Sequence, residues 1–409
     1  MRVILHVDLN NFYASVEMKL DPSLKGKFVG VCGSIENRHG IILAKSENAK
    51  KMGVKTGMVI KDALKLCPEL VLVEAKHDKY ISYSNLVRDI YRKYTDKIEP
   101  FGIDECWLDV TNSVKMFGSG EEIAEQIRQT VKNELGLTVS IGVSFNKVFA
   151  KLGSDYKKPD AITVISNDNY KNLVWNMGVE NLLFVGRSTK QKLEKLNIKT
   201  IGNLAITDSD FISKKFGKWG ETLQTYAKGE ENSEVLLDEE HSEIKSVGNS
   251  ITSYRDLVTL DDVKIVLTIL SESVSARVND YKIGKPDTLT LFVRDSELVS
   301  ITRQVKLDYP SCLAEDYEKT AYQLFIKNVK GKFSIRSLGV SVSGFNKGDE
   351  QISFDSLNYD KKSKLNDAVS DIKHKYGNES LLKGIVLKDK KFMKEDPKTE
   401  HVVHPDGHL

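Results

Sequence analysis

The N-terminal stretch "VILHVDLNNFYASVE" constrains the fold more than any other part of the sequence. An apolar run that ends at Val7 predicts a buried strand, and Asp8 follows it at once. A carboxylate at the end of a core strand is costly unless a cation meets it. We therefore interpret Asp8 as part of a functional site, with a strand-end cap as the alternative.

A second acidic group, Asp104-Glu105, lies in "FGIDECWLDV". Neighbouring residues on a flat strand point to opposite faces, so the pair can serve one site only where the backbone bends, which Gly102 permits. If the first strand lies beside this one, Asp8 and Asp104 meet at the edge of a sheet. Solvated turn residues are the alternative.

Three carboxylates at such a short separation stay ionised together only if cations neutralise them. All-oxygen ligands combined with substrate phosphates favour Mg²⁺. Two such ions, roughly 4 Å apart, would hold the attacking and leaving oxygens of a phosphoryl transfer.

The order of predicted elements around these residues is typical of a split βαβ sheet. Helical spacing predicts helices over 78–94 and 123–135, and the 98–110 segment predicts a hairpin or bent strand. The strands "LTVSIGVS" and "AITVI" flank a basic helix, "FNKVFAKLGSDYKKP". Together with the first strand, this order predicts a ferredoxin-like sheet.

The second half of the chain has a different pattern. Residues 168–228 are predicted to be helical, with two helix starts that each follow a glycine turn. The acidic stretch 229–245 has no periodicity and is interpreted as a linker. Strands dominate 246–345, with helices at 261–279 and 312–328, which predicts a second α+β domain. Residues 346–409 are polar, with one weak amphipathic helix near 362–376 and no evident core.

Length and composition exclude few functions. A chain of 409 residues with 40% hydrophobic and 29% charged residues is typical of a globular protein of two to four domains. We expect a cytoplasmic location, no membrane association and four free thiols. The net charge of +2 is weak evidence for nucleic-acid binding, so any basic surface must be local.

Three blocks, "HVDLNNFYASVE", "GIDECWLDV" and "SIGVSFNKVFAKLGSDYKKPDAITVI", together resemble the Y-family of translesion DNA polymerases. The resemblance runs in order from residue 1 to about 345. It implies a multidomain α+β fold of the right-hand polymerase type, with the following parts: a ferredoxin-like palm at 1–19 and 80–167, small fingers at 20–79, a helical helix-hairpin-helix thumb at 168–230, a linker at 231–245, an α+β little finger at 246–348 and a tail at 349–409.

The implied activity is template-directed addition of dNTPs to a primer 3′ end, in low-fidelity synthesis that tolerates DNA damage. The resemblance implies a monomer that binds primer–template DNA and two Mg²⁺ ions. The metal ligands would be Asp8, Asp104, Glu105 and the main-chain carbonyl of Leu9.

The resemblance also assigns the nucleotide-binding residues. Tyr13 stands at the steric-gate position, where a bulky ring leaves no room for a 2′-hydroxyl; for Phe12, beside it, core packing is an equal alternative. Lys158 and Lys50 would contact the triphosphate, although Lys50 stands where arginine is usual. Two further departures, Glu47 for a tyrosine and Gly102 for a serine, put catalytic efficiency in doubt.

The DNA contacts are implied by two further segments. In the thumb, Gly186 and Arg187 would meet a phosphate through main-chain N–H groups and a guanidinium. In the little finger, the basic candidates are Arg255, Arg294, Arg303 and Arg336. The peptide "EQISFDSL" resembles a motif that docks on the bacterial sliding clamp, with Gln351, Ile352 and Phe354 as anchors.

Two alternatives compete with a polymerase. A ferredoxin-like nucleotidyl cyclase would share the sheet and the carboxylates, but it leaves the thumb and the clamp peptide unexplained. A non-catalytic DNA-binding relative would explain Glu47 and Gly102, but not the clustered carboxylates.

Overall fold

The structure, a computed structural model, describes residues 2–33, 40–238, 244–346, 359–377 and 380–393. The described residues form two compact units, one that ends at residue 238 and one that begins at residue 244. No helix within these described ranges is both long and apolar enough to span a membrane.

The first unit contains eight strands and twelve α-helices among its described residues. The strands are β1 (Ile4–Leu9), β2 (Val29–Cys32), β3 (Ile42–Lys45), β4 (Val71–Glu74), β5 (Ile98–Pro100), β6 (Glu105–Asp109), β7 (Val139–Ser144) and β8 (Ile162–Ile165). The helices are α1 (Phe12–Leu20), α2 (Glu47–Lys51), α3 (Ile60–Leu66), α4 (His77–Arg92), α5 (Val114–Phe117), α6 (Gly120–Thr130), α7 (Lys147–Tyr156), α8 (Tyr170–Val174), α9 (Arg187–Lys195), α10 (Ile201–Ile206), α11 (Ser209–Phe216) and α12 (Lys218–Lys228).

Strand β1 is the centre of a five-stranded sheet in the order β5-β6-β1-β7-β8. It runs antiparallel to β6 and β7, whereas β7 and β8 are parallel. All six residues of β1 are buried. Val7 belongs to the large hydrophobic core with residues of α4 and α6, and Ile4 packs with Trp107 and Ala150. The assumption that the first strand lies beside the 98–110 segment therefore holds.

A smaller sheet, β3-β2-β4, carries α2 and α3. Its own core includes Ile42, Ala49 and Ala63, which are completely buried. Helix α2 begins after Ser46, whose hydroxyl accepts a hydrogen bond from the N–H of Ala49. This helix positions two residues of the candidate site, Glu47 and Lys50.

Helices α8 to α12 share a hydrophobic core with α7 and with Ile165 of β8. The prediction that each of two helix starts follows a glycine turn holds for α9, which begins directly after Gly186. It is wrong for α10, because Thr200 caps that helix and Gly202 is its second residue. A β-carbon at Gly202 would lie 2.8 Å from the Trp175 side chain, so this glycine serves close packing.

Part of the acidic stretch interpreted as a linker is bound to the first unit. Val235 is buried in the cluster that contains Trp107. Arg2 donates hydrogen bonds to the carbonyls of Asn232 and Ser233, and the N–H of Leu236 donates to Glu99. The segment up to residue 238 is therefore held in place by polar contacts that periodicity does not reveal.

A buried ion pair lies beneath this segment. The Lys147 ammonium is 2.7 Å from a Glu99 carboxylate oxygen, and the two side chains are 3% and 2% exposed. The ammonium also lies 4.9 Å from the centre of the Trp107 ring and donates to the carbonyl of Glu234. Glu99 thus depends on one buried cation for its charge balance.

We expect Lys147→Met to lower the free energy of unfolding of the first unit by about 3–5 kcal/mol, because it leaves the Glu99 carboxylate buried without its cation. All three tryptophans lie in this unit, so tryptophan fluorescence during urea unfolding reports its stability. Lys93→Met is the control, since the Lys93–Glu134 pair is exposed and is worth about 0–1 kcal/mol. Equal effects of the two substitutions would contradict the assignment.

The second unit is an α+β sandwich. Its strands are β9 (Ser246–Leu257), β10 (Lys285–Asp295), β11 (Ser300–Lys306) and β12 (Ile335–Asn346), in the antiparallel order β11-β10-β12-β9. Its helices are α13 (Leu260–Tyr281), α14 (Ala314–Asn328), α15 (Tyr359–Tyr376) and α16 (Lys390–Met393). Helices α13 and α14 pack on the face that carries Leu291 and Val340. The two helices predicted before residue 330 are confirmed.

The prediction that residues 346–409 have no core is wrong for their described part. Phe392 is completely buried in the core of the second unit, 5.0 Å from the Tyr254 ring. Tyr359, at the start of α15, is buried as well. A single aromatic residue in a lysine-rich segment gives no periodic signal, which is why the sequence did not indicate this contact. The proposed clamp-binding residues, Gln351, Ile352 and Phe354, lie outside the described residues.

Candidate active site

The carboxylates of Asp8 and Glu105 lie side by side because β1 and β6 pair them directly. Directly opposite residues of an antiparallel pair present their side chains to the same face. Asp104 is in the bend just before β6, and its carbonyl accepts a hydrogen bond from the N–H of Leu9 at 3.0 Å. The structure therefore brings all three predicted acidic residues to one end of two neighbouring strands.

The tight turn before β6 makes this arrangement possible. The N–H groups of Phe101 and Gly102 both donate to the carbonyl of Glu105. The turn bends the chain between β5 and β6, so Asp104 is not obliged to point away from Glu105 as it would on a flat strand.

Burial and mutual repulsion both disfavour the ionised forms of the clustered carboxyl groups. Burial, followed by the proximity of Glu105, raises the pKa of Asp8 to about 6. Burial, followed by repulsion from Asp8 and Glu105, raises the pKa of Asp104 to about 7. A bound cation would favour the ionised forms of both groups.

Two lysines of the basic segment supply positive charge to the cluster. The Lys158 ammonium lies 2.7 Å from Asp8 and 2.8 Å from Asp155. The Lys151 ammonium lies 2.8 Å from Glu105. Sequence reasoning singled out Lys158 but missed Lys151 and Asp155. Their spacing of four residues on α7 places them on one helix face, which is the signal that was available.

His6 is a further residue that the sequence did not assign. It is completely buried, and its Nδ1 lies 2.8 Å from the Ser154 hydroxyl. Burial lowers the pKa of His6, so the ring is neutral at physiological pH. Its Nε2, which has no hydrogen-bond partner among the described residues, lies 3.6 Å from Glu105. His6 therefore packs behind Glu105 without forming an ion pair with it.

The residues present fit hard divalent cations. The donors are carboxylate oxygens, which Mg²⁺ prefers, and repulsion among the three carboxylates adds to burial in raising the pKa values of Asp8 and Asp104. Among the described residues, no three His, Cys, Asp or Glu side chains already surround a common metal position. The Lys158 and Lys151 ammonium groups lie against the same oxygens, so a metal would compete with them.

Tyr13 and Phe12, at the start of α1, have different environments. The Tyr13 ring stacks on Tyr80 at 4.1 Å and meets His77 edge-on. Burial, and then the charge of Asp104, raises the pKa of Tyr13 to about 12, which keeps the hydroxyl neutral. Phe12 is 3% exposed within the large core, so packing accounts for its ring.

The residues expected to contact a triphosphate approach from two sides. Lys158 lies two residues beyond the end of α7, and Lys50 lies in α2, where its ammonium is 3.6 Å from Glu47. A cavity of about 270 Å³ lies nearby, and its lining includes Asn10, Asn11, Glu47 and Pro159. Of the predicted nucleotide-binding residues, Lys158 and Tyr13 therefore lie near the acidic cluster, whereas Lys50 lies beside Glu47, which lines this cavity.

The candidate thumb residues lie at a helix start. Gly186 precedes α9, and Arg187, its first residue, is exposed. No side chain caps this helix, and the space over Gly186 is open. Both features leave room for a phosphate to approach the first turn.

The structure does not bring the four candidate arginines of the second unit to one surface. Arg294 lies opposite Ser337, on the sheet face that α13 and α14 do not cover. Arg303 lies opposite the core residue Leu291 and donates to Asn328 of α14, so it belongs to the helix-bearing side. Arg336 is in β12, beside an irregularity in its pairing with β9.

Arg255 is held within the second unit. Its guanidinium is 2.6 Å from Asp262 and 3.0 Å from Asp389, and the ring of Phe392 lies beneath it. These contacts fasten the α16 segment to α13, which gives Arg255 a structural role that the sequence did not indicate.

Comparisons with known proteins point to one family. The model of the impB/mucB/samB family matches residues 7–155, and the model of its C-terminal domain matches residues 244–354. The chain is 46% identical to a DNA polymerase IV of Acetivibrio thermocellus, over 95% of this chain and 98% of that protein. It is 37% identical to a DNA polymerase IV of Clostridium kluyveri, over 95% and 99% of the two chains.

Solved structures of similar architecture point to the same family. A Y-family DNA polymerase chimera of Dbh and Dpo4 superposes with a TM-score of 0.74 at 25% identity, over 84% of this chain and 99% of the chimera. An insertion ternary complex of Dbh DNA polymerase superposes with a TM-score of 0.59 at 25% identity, over the same shares.

Proposed function

Since the chain belongs to the Y-family of translesion DNA polymerases, we propose that Asp8, Asp104 and Glu105 catalyse transfer of a deoxynucleotide from a dNTP to a primer 3′ end. The chain is a DNA-directed DNA polymerase whose substrates are primer–template DNA and dNTPs. The observation that carries the mechanistic proposal is the pairing of Asp8 with Glu105 beside Asp104, in a site that raises the pKa of Asp8 and Asp104.

A polymerase of this family depends on divalent metal, and we assign two Mg²⁺ ions to the acidic cluster. Asp8, Asp104 and Glu105 would hold them, together with the main-chain carbonyl of Leu9. When bound, such ions would make the primer hydroxyl a better nucleophile and offset the charge of the triphosphate. The chain's own part is to keep the carboxylates together at one end of β1 and β6.

The lysines and Tyr13 would act on the nucleotide directly. The Lys158 ammonium would leave Asp8 and bind the phosphates instead. There it would stabilise the charge that develops on the leaving group. Lys50 would approach the same phosphates from α2. Tyr13, held by its stack on Tyr80, would lie under the sugar and exclude a 2′-hydroxyl. The part of Phe12 would be to support Tyr13 from within the core.

DNA would contact both units. We propose that Gly186 and Arg187 bind a backbone phosphate at the start of α9. We also propose that Arg294 binds the template backbone from the face of the second unit's sheet that α13 and α14 do not cover. Arg336 remains a candidate from β12. Arg303 and Arg255 would have to leave Asn328, Asp262 and Asp389 to take part, so we rank them last.

The remaining assignments rest on the sequence resemblance and on the relatives named above. The peptide with Gln351, Ile352 and Phe354 would bind a bacterial sliding clamp. The protein would act as a monomer in the cytoplasm, on primed damaged DNA and with low fidelity. The bacterial origin of the relatives named above supports this setting.

The experiment that tests the proposal is extension of a labelled primer on a DNA template with all four dNTPs and Mg²⁺. We expect extension to stop when a chelator removes the metal and to return when Mg²⁺ is restored, because three neighbouring carboxylates repel a triphosphate unless cations neutralise them. Extension that persists in excess chelator would contradict the role given to the acidic cluster.

We expect Lys158→Ala to raise the KM for dNTP by about 10- to 100-fold, because a charge-assisted contact to the triphosphate is lost. Lys157→Ala is the matched control, since Lys157 is an exposed neighbour outside these contacts. Steady-state insertion of a single nucleotide measures both. An unchanged KM for Lys158→Ala would show that the amine only balances Asp8.

A further inference from the structure

Glu47 joins helix α2 to the loop that precedes the steric-gate residue. The side-chain amide of Asn11 donates a hydrogen bond to Glu47 Oε1 at 2.8 Å. Asn11 has a left-handed backbone, with φ of 49°, and is the residue immediately before α1. One hydrogen bond therefore connects the small β3-β2-β4 part of the first unit to the start of the helix that carries Tyr13.

The same carboxylate oxygen also holds Lys50. The Lys50 ammonium lies 3.6 Å from Glu47 Oε1, three residues further along α2. Lys50 is half exposed, so it is free to turn toward another anion when one is bound. Glu47 thus has a neutral partner, Asn11, and a charged partner, Lys50.

The location of Glu47 matters for a bound nucleotide. Glu47 and Asn11 both line the 270 Å³ cavity, together with Asn10 and Pro159, the neighbours of Leu9 and Lys158. A triphosphate that reached Lys158 and Lys50 would pass near this carboxylate, and like charges repel. The hydrogen bond to Asn11 and the repulsion of phosphate are two effects of one side chain, and they act in opposite directions.

We propose that Glu47 is a positioning residue for the polymerase reaction, with two separable effects. Its hydrogen bond fixes Asn11 and thereby the start of α1, so that Tyr13 meets the sugar correctly. Its charge retains Lys50 and repels the triphosphate, so that dNTP binds more weakly than this pocket otherwise permits. The proposal rests on the proposed function, and it assigns a role to a residue that the resemblance alone marks as a defect.

Two substitutions separate the effects. Glu47→Gln keeps an oxygen that accepts from Asn11 but removes the charge, so we expect dNTP to bind about 3- to 10-fold more tightly, while kcat and sugar discrimination stay above those of a variant that also lacks the hydrogen bond. Glu47→Ala removes both, so binding should also tighten, but kcat and the preference for dNTP over rNTP should fall several-fold. Glu69→Gln, at an exposed position, is the control for loss of one negative charge.

Binding is measured separately from turnover, by titrating dNTP into a complex with a dideoxy-terminated primer and template. Thermal unfolding of each variant checks that the fold is intact. If Glu47→Gln binds dNTP no more tightly than the parent, the charge effect is overturned. If Glu47→Ala matches Glu47→Gln in kcat and sugar discrimination, the positioning effect is overturned. A parent that neither binds dNTP nor extends primers would instead overturn the proposed function, and this inference with it.

Discussion

Asp104→Asn is expected to lower primer extension by roughly 10³-fold, because it removes one of three carboxylates that would hold the metal ions at the reacting phosphate. The substitution nearly preserves shape, and the carbonyl of residue 104 can still accept from the N–H of Leu9. Single-turnover insertion of one nucleotide, at saturating dNTP and DNA, measures the loss without interference from binding.

The same substitution is expected to stabilise the metal-free protein at high pH. Asp104 has a folded-state pKa of about 7, above its ordinary value of 3.8. Between these values the folded protein holds a proton that the unfolded chain has lost, so stability falls as pH rises from about 4 to about 7. The asparagine side chain does not titrate in this range, so it does not contribute this loss of stability. Asp104→Asn should therefore be more stable than the parent at pH 8, by up to about 4 kcal/mol, and equally stable below about pH 4.

Urea unfolding at several pH values, in the presence of a chelator, tests whether the variant that loses primer extension gains stability at high pH. Glu134→Gln is the control, because it removes an exposed carboxyl far along the chain from the cluster and should change neither extension nor the pH dependence. A variant that is both inactive and less stable at pH 8 would indicate that Asp104 supports the fold, and would contradict the interpretation of the raised pKa.

Tyr13→Ala is expected to raise ribonucleotide insertion relative to deoxynucleotide insertion by roughly 100-fold, because a ring that excludes the 2′-hydroxyl is removed. The effect should appear mainly as a rise in kcat/KM for rNTP, while kcat/KM for dNTP falls by a smaller factor. Competition between the two nucleotides on one template gives the ratio directly.

Tyr13→Phe is the matched comparison. It keeps the ring and its stack on Tyr80 but lacks the hydroxyl, whose raised pKa keeps it neutral in any case. We expect sugar discrimination close to that of the parent. If Tyr13→Phe and Tyr13→Ala lost discrimination equally, the hydroxyl would be the discriminating group and the steric explanation would be wrong.

Much of the fold follows from local pattern. The apolar run before Asp8 predicted the buried strand β1, and the spacing of apolar residues predicted α4, α6, α13 and α14. The meeting of Asp8 with Asp104 and Glu105 followed from one assumption, that β1 lies beside β6, and the observed pairing has this form.

The features that escaped prediction depend on contacts between distant parts of the chain. Phe392 fills the core of the second unit from a lysine-rich segment, and Leu236 is fixed by a hydrogen bond to Glu99. Neither contact leaves a periodic trace in the sequence. The hydrogen bond from Asn11 to Glu47 likewise required the two parts of the first unit to be placed in space.

The arginines of the second unit show the same limit. A one-residue change of position along a strand reverses the face of a side chain, so composition could not tell Arg294 from Arg303. Only the observed pairing, of Arg294 with β12 and of Arg303 with β10, shows which face of the sheet each side chain takes.

Template-directed insertion by the intact chain tests the central claim most directly. A primed DNA template is prepared with each of the four bases at the coding position, and each dNTP is offered singly with Mg²⁺. The account predicts that the nucleotide inserted most efficiently is the complement of the template base, in all four cases. DNA binding without insertion would contradict it in favour of a non-catalytic relative, and formation of a cyclic nucleotide would contradict it in favour of a cyclase.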